Sequence, residues 1–131
     1  MFIEFSNQFY PEFLDFTITP EEAGQKAYFN AAYGQNTNKH ILGLFAVGEP
    51  SLPYHALTGD ALRDFILDEL DGIFSNQATP SYVKHIEQNW SNEPFIKGAY
   101  LSDYESSARV ETLSENLDDK VYFAGEAYTD G

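Results

Sequence analysis

No cysteine occurs in the 131 residues, which excludes disulfides and thiolate metal sites. Basic residues are scarce: 7 Lys plus Arg stand against 21 Asp plus Glu, a formal net charge of −14. A field of that sign repels phosphate backbones and argues against nucleic-acid binding, while it favours cationic ligands such as amines. The same charge also serves as a solvated acidic surface that maintains solubility. No apolar run approaches the ~18 residues that would suggest a membrane span. The opening MFIEFSNQFY lacks a basic region followed by an apolar stretch, so no signal peptide is legible and a cytoplasmic location is expected.

What is present suits one folded domain of ordinary size. Hydrophobic residues make up 43% and aromatics 16%, with 11 Phe and 9 Tyr, enough for a core and too aromatic for a disordered tail. MFIEFS (1–6) reads as a short strand through Phe2, Ile3 and Phe5. TPEE (19–22) carries a helix-start signature, and AYFNAAY (27–33) reads as extended. GQNTN (34–38) is turn chemistry, and ILGLFAVG (41–48) is apolar enough for a central strand covered on both faces. GDALRDFILDELDGIF (59–74) is the clearest helix. Leu62, Phe65, Ile66, Leu70, Ile73 and Phe74 form its apolar face. Asp60, Arg63, Asp64, Asp68, Glu69 and Asp71 lie mostly on the other, and Thr58 or Asp60 caps the start. Residues 78–90 read as a loop feeding a strand, and VYFA (121–124) as a final strand. The expected class is α+β, with an antiparallel or mixed sheet and a helix packed on one face.

Most chemical motifs are missing. His40, His55 and His85 are far apart in sequence, so no metal site is indicated. DELDG (68–72) only loosely suggests an EF-hand, because Leu67 and Ala78 stand where that loop needs oxygen ligands. No G-x-S-x-G, P-loop or G-x-G-x-x-G occurs. The informative stretch is NWSNEPFIKGAY (89–100), with the single tryptophan Trp90, then Pro94-Phe95, Gly98 and Tyr100. Pro94 fixes a turn, Gly98 permits close backbone approach, and Tyr100 offers a flat ring with a polar tip. A buried aromatic cluster around a tight turn accounts for the same residues.

Trp-x3-Pro-Phe-x2-Gly-x-Tyr, followed later by Phe123-Ala124-Gly125-Glu126, resembles the C-terminal region of flavin-containing amine oxidases. FIEFSNQFYPE (2–12) is similar to the strand by which that family enters its substrate-binding domain, and AVGE (46–49) precedes the matching helix. The resemblance implies a substrate-binding-like domain over 1–120. It also implies a returning strand, 121–131, that would lead into an FAD-binding domain. It implies that Trp90 packs near the isoalloxazine ring and that Tyr100 is one wall of an aromatic cage for the amine. Gly125 and Glu126 would lie against the ribose–pyrophosphate region. Ala99 stands where monoamine oxidases attach flavin through cysteine, so any FAD is non-covalent. None of these residues is given a catalytic role.

The family's Gly-rich pyrophosphate loop and the lysine beside the flavin ring are not among the 131 residues. The expectation is therefore an incomplete FAD-dependent amine oxidase, inactive alone, with a separate FAD-binding chain and an amine substrate as partners. Self-association into a dimer is expected where that chain is absent. The alternative is a stand-alone acidic binding or interaction module derived from the same fold.

Overall fold

The computed structural model describes residues 1–14, 24–96, 115–123 and 125. Two compact units divide the chain, Met1–Asn89 and Trp90–Gly131. In the first, four antiparallel strands form one sheet: β1 (Phe2–Phe5), β2 (Gly24–Asn30), β3 (His40–Gly48) and β4 (Tyr82–Ile86), in the order β2-β3-β1-β4. Between β3 and β4 come the short helix α1 (Leu52–His55), the long helix α2 (Gly59–Ile73) and the single turn α3 (Ala78–Ser81). The fold is α+β, as expected. The helix-start signature at 19–22 lies outside the described residues.

The strands follow their alternation. On β1, Ile3 and Phe5 are buried while Phe2 and Glu4 take the other face. On β3, Leu42 joins the first face. α2 packs there. Leu62, Ile66, Leu67 and Leu70 form one buried cluster with Ile3, Phe5, Tyr28 and Leu42. Ile66 and Leu70 are fully buried, each worth about 1.5–3 kcal/mol of transfer free energy. The contact stripe differs from the one read in the sequence. Leu67 is buried, whereas Phe65 and Ile73 are exposed. A sheet touches only a narrow line along a helix, and 62–66–70 with 67 is that line.

The ends of α2 are set by distant residues. Thr58 occupies the capping position, but its side chain makes no capping bond. The Glu87 carboxylate instead accepts the Gly59 N–H, at 2.9 and 3.1 Å to its two oxygens. A carboxylate there also complements the positive end of the helix dipole. At the far end Ser75 and Asn76 adopt positive φ and stop the helix. The Asp71 Oδ1 accepts the N–H groups of Ala78 and Thr79, which starts α3 and aims β4 back along β1.

Gly43, in the middle of β3, is required by its neighbour. A Cβ there would meet the Phe29 ring at 2.3–2.8 Å. Phe29 is its cross-strand partner, and its ring packs edge-on against Phe2 with centroids 6.1 Å apart. Gly43→Ala should therefore push the ring aside and cost about 1–3 kcal/mol in urea unfolding, as overpacking does. Adding Phe29→Leu should return part of that loss. An unchanged midpoint for Gly43→Ala would show that the ring moves freely.

In the second unit, Trp90–Asn92 form a 3-10 turn, and Leu117 and Val121 make an isolated antiparallel bridge across residues 118–120. Tyr122 and Phe123 join no ladder, so the strand expected at 121–124 is reduced among the described residues to that single bridge.

Candidate functional site

Of the five cofactor- and substrate-site residues named from the sequence, the structure describes Trp90 and Gly125. Ala99, Tyr100 and Glu126 lie outside the described residues. Trp90 opens the 3-10 turn and is 61% exposed, its carbonyl accepting the Glu93 N–H at 3.1 Å. Gly125 is exposed and has φ 153°, a backbone conformation that side-chain-bearing residues rarely adopt. Phe95, at 96%, and Tyr122, at 71%, are also open in this unit.

In the first unit the structure assembles a polar cluster that the sequence did not reveal. Glu69, read there as part of the solvent face of α2, is half-buried against β2. Its Oε1 accepts from Lys26 Nζ at 2.6 Å, and its Oε2 from the hydroxyls of Tyr28 at 2.7 Å and Tyr54 at 2.8 Å. Lys26 Nζ also sits 5.6 and 5.4 Å from the centroids of those two rings. Burial pushes the Glu69 carboxyl up, but its hydrogen bonds from Lys26, Tyr28 and Tyr54 outweigh it and hold it below the ordinary range. Burial pushes the Lys26 ammonium down, and the bonded carboxylate more than reverses this. Burial, reinforced by Glu69, raises the Tyr28 hydroxyl far above its usual value. The cluster is a satisfied network that pins α2 to β2 and α1. The only legible signal was a tyrosine and a lysine at alternate positions of β2, both on the helix side.

Three further groupings carry no chemistry. Ser51 Oγ donates to the Gly48 carbonyl at 2.7 Å, so at 3.1 Å it accepts from His55 Nε2, the wrong direction for an activated nucleophile. Tyr82 and His85 pair on β4 at 2.9 Å, and Arg63 stacks on the Tyr82 ring. Among the described residues the buried Tyr10 hydroxyl has no hydrogen-bond partner, and burial raises it to about 12. Among the described residues no group of three His, Asp or Glu could hold a metal ion, and no helix is long and apolar enough to cross a membrane.

Comparison with known proteins adds what this geometry does not contain. The sequence profile of a family described as "Flavin containing amine oxidoreductase" matches residues 1–131. Lysine-specific histone demethylase 1B of Mus musculus is 25% identical over 114 residues, covering 86% of this chain and 14% of that protein. Lysine-specific histone demethylase 2 of Homo sapiens is 26% identical over 116 residues, again 86% of this chain and 14% of the relative. The chain thus matches about one-seventh of the length of these curated relatives. No solved structure matches.

Proposed function

Because the chain belongs to the flavin-containing amine oxidoreductase family, we propose that it supplies the substrate side of an FAD-dependent amine oxidase and is inactive alone. The observation that carries this reading is the extent of the family match, which runs through both the sheet unit and the Trp90–Gly131 unit. The two relatives' names specify lysine in histones, so a methylated lysine side chain is the first amine to test.

The described residues suit the flank of a flavin nucleotide. Gly125 is exposed in a conformation reserved for glycine, so its bare Cα leaves room for close approach. Trp90 holds 61% of its surface open for stacking beside the ring. The chain contains neither a cysteine for covalent attachment nor a G-x-G-x-x-G loop for the pyrophosphate. Trp90, Gly125 and Glu126 would therefore flank a non-covalent FAD, with Ala99 at the position of the covalent link. When bound, the flavin supplies the two-electron acceptor for amine oxidation. Tyr100 orients the amine by its ring face, and the formal charge of −14 raises the local concentration of cationic amines.

The test is flavin retention. The purified chain should carry no FAD, and co-expression with the FAD-binding half of an amine oxidase should yield a complex that co-purifies with flavin. Flavin absorbance in the isolated chain would overturn this division of labour. So would failure of every such half to associate.

A second expectation concerns the isolated chain. Trp90, Phe95, Tyr122 and Phe123 are 43–96% exposed. Apolar surface of this kind is covered in a stable assembly. Without a partner chain, self-association into a symmetric dimer should follow. Light scattering that gives a monomer mass at high concentration would refute it.

A further inference from the structure

The turn that joins β2 to β3 exposes aromatic surface where turn chemistry calls for polar residues. Phe13 is 65% exposed and Tyr33 is 54% exposed, and their rings meet edge to face with centroids 5.5 Å apart. The arrangement is held in place from behind. Asn30 Nδ2 donates to the Glu12 carbonyl at 2.8 Å, while Asn30 Oδ1 accepts the Ala32 N–H at 3.1 Å. The Tyr33 N–H donates to the Asn30 carbonyl at 3.2 Å. One asparagine thus ties the segment carrying Phe13 to the hairpin carrying Tyr33. An open groove runs beside them, lined by Glu12, Tyr33, Gln35, Thr37, Asn38 and Lys39 among others.

We propose that the Phe13–Tyr33 pair and Glu12 form a docking site for the arginine or lysine side chains of a basic peptide segment. The sign of the partner follows from charge. Glu12 stands in the groove lining, and the Lys39 ammonium there is paired with Glu4 at 2.6 Å, whose second oxygen Lys84 reaches at 3.4 Å. The chain as a whole carries −14. Exposed aromatic faces attract cations through their ring quadrupole. A peptide fits better than a free small cation, because the groove is open and does not enclose a ligand as small-molecule sites do. The amides of Gln35 and Asn38 at its rim match main-chain peptide groups. The site does not depend on flavin.

The experiment titrates the full chain with a short peptide of alternating glycine and arginine, followed by NMR shifts of the hairpin amides. A glutamate counterpart of the peptide and free arginine amide serve as comparisons. Binding should be seen for the arginine peptide only. Tyr33→Ser should weaken it about two- to fivefold, the size of an exposed cation–π contact. Glu12→Gln should weaken it more than Asp68→Asn, which removes an equal charge from the exposed face of α2. Thermal melts on all three variants confirm that the fold is retained. No binding, an unaffected Tyr33→Ser, or equal losses from Glu12→Gln and Asp68→Asn would overturn the proposal. Arginine amide binding as tightly as the peptide would also overturn it, in favour of a small-cation site.

Discussion

Glu69→Leu should unfold this protein more readily than a change at any neighbouring acidic position of α2. Leucine keeps the bulk of the side chain but removes the acceptor for three donors, Lys26, Tyr28 and Tyr54. Tyr28 and Tyr54 are 8% and 9% exposed, so water replaces the lost partner poorly. Bonds to a charged group contribute about 1.5–3 kcal/mol each, and an orphaned buried hydroxyl costs about 1–3 kcal/mol. The Glu69 and Lys26 side chains are 27% and 26% exposed, so solvent screens part of this. A net loss of about 2–4 kcal/mol in urea unfolding is expected. Glu69→Gln retains one acceptor oxygen and should lose less, while Asp68→Asn should be near neutral. Equal midpoints for Glu69→Leu and Asp68→Asn would mean that the network contributes nothing.

The same cluster sets a pH dependence. The Glu69 carboxyl is held below its ordinary value of 4.5, so its contribution is present above that pH and is lost as pH falls through the folded value. Lys26 is raised above 10.5, so its contribution is present below that pH and is lost as pH rises through the folded value. Tyr28 is raised above 10.0, so the folded state loses ground at higher pH as the unfolded chain ionises there first. Stability should therefore form a plateau between these limits. Glu69→Leu should lower the plateau and flatten its acid limb. An acid limb of unchanged steepness in Glu69→Leu would assign it to other carboxylates.

If the chain supplies the substrate side of an amine oxidase as proposed, Tyr100→Ala should lower kcat/KM of the complex with an FAD-binding half by about 100-fold, the order of loss from a misplaced substrate. On the proposed role, in which the ring face orients the amine, Tyr100→Phe should keep most activity. The competing role for Tyr100 is a packing residue. In that case Ala would cost about 3–5 kcal/mol of stability, as large-to-small core changes do, with turnover intact in the folded fraction. Measuring kcat/KM together with thermal stability separates the two. Lost turnover at unchanged stability supports the cage, and the reverse pattern refutes it. Abolished turnover in Tyr100→Phe would give the hydroxyl a chemical role and defeat both accounts.

The sequence by itself determined the elements whose signals are local. Alternation in FIEF and the apolar run ILGLFAVG gave β1 and β3, and helical periodicity gave α2 within one residue of its observed end. It also carried the family, because Trp90, Pro94, Phe95 and the Gly125 region are recognisable as residue types in order, whatever their coordinates. Tertiary structure decided what depends on partners far along the chain. Glu69 left the solvent face only because Lys26 and Tyr28, 43 and 41 residues away, present donors beneath it. Thr58 lost the capping role to Glu87, 28 residues beyond Gly59. The exposed Phe13–Tyr33 pair exists because Asn30 ties together segments 18 residues apart. Periodicity reports which side of an element is apolar, but a polar side chain settles wherever its donors and acceptors are met, and only the folded chain brings those together.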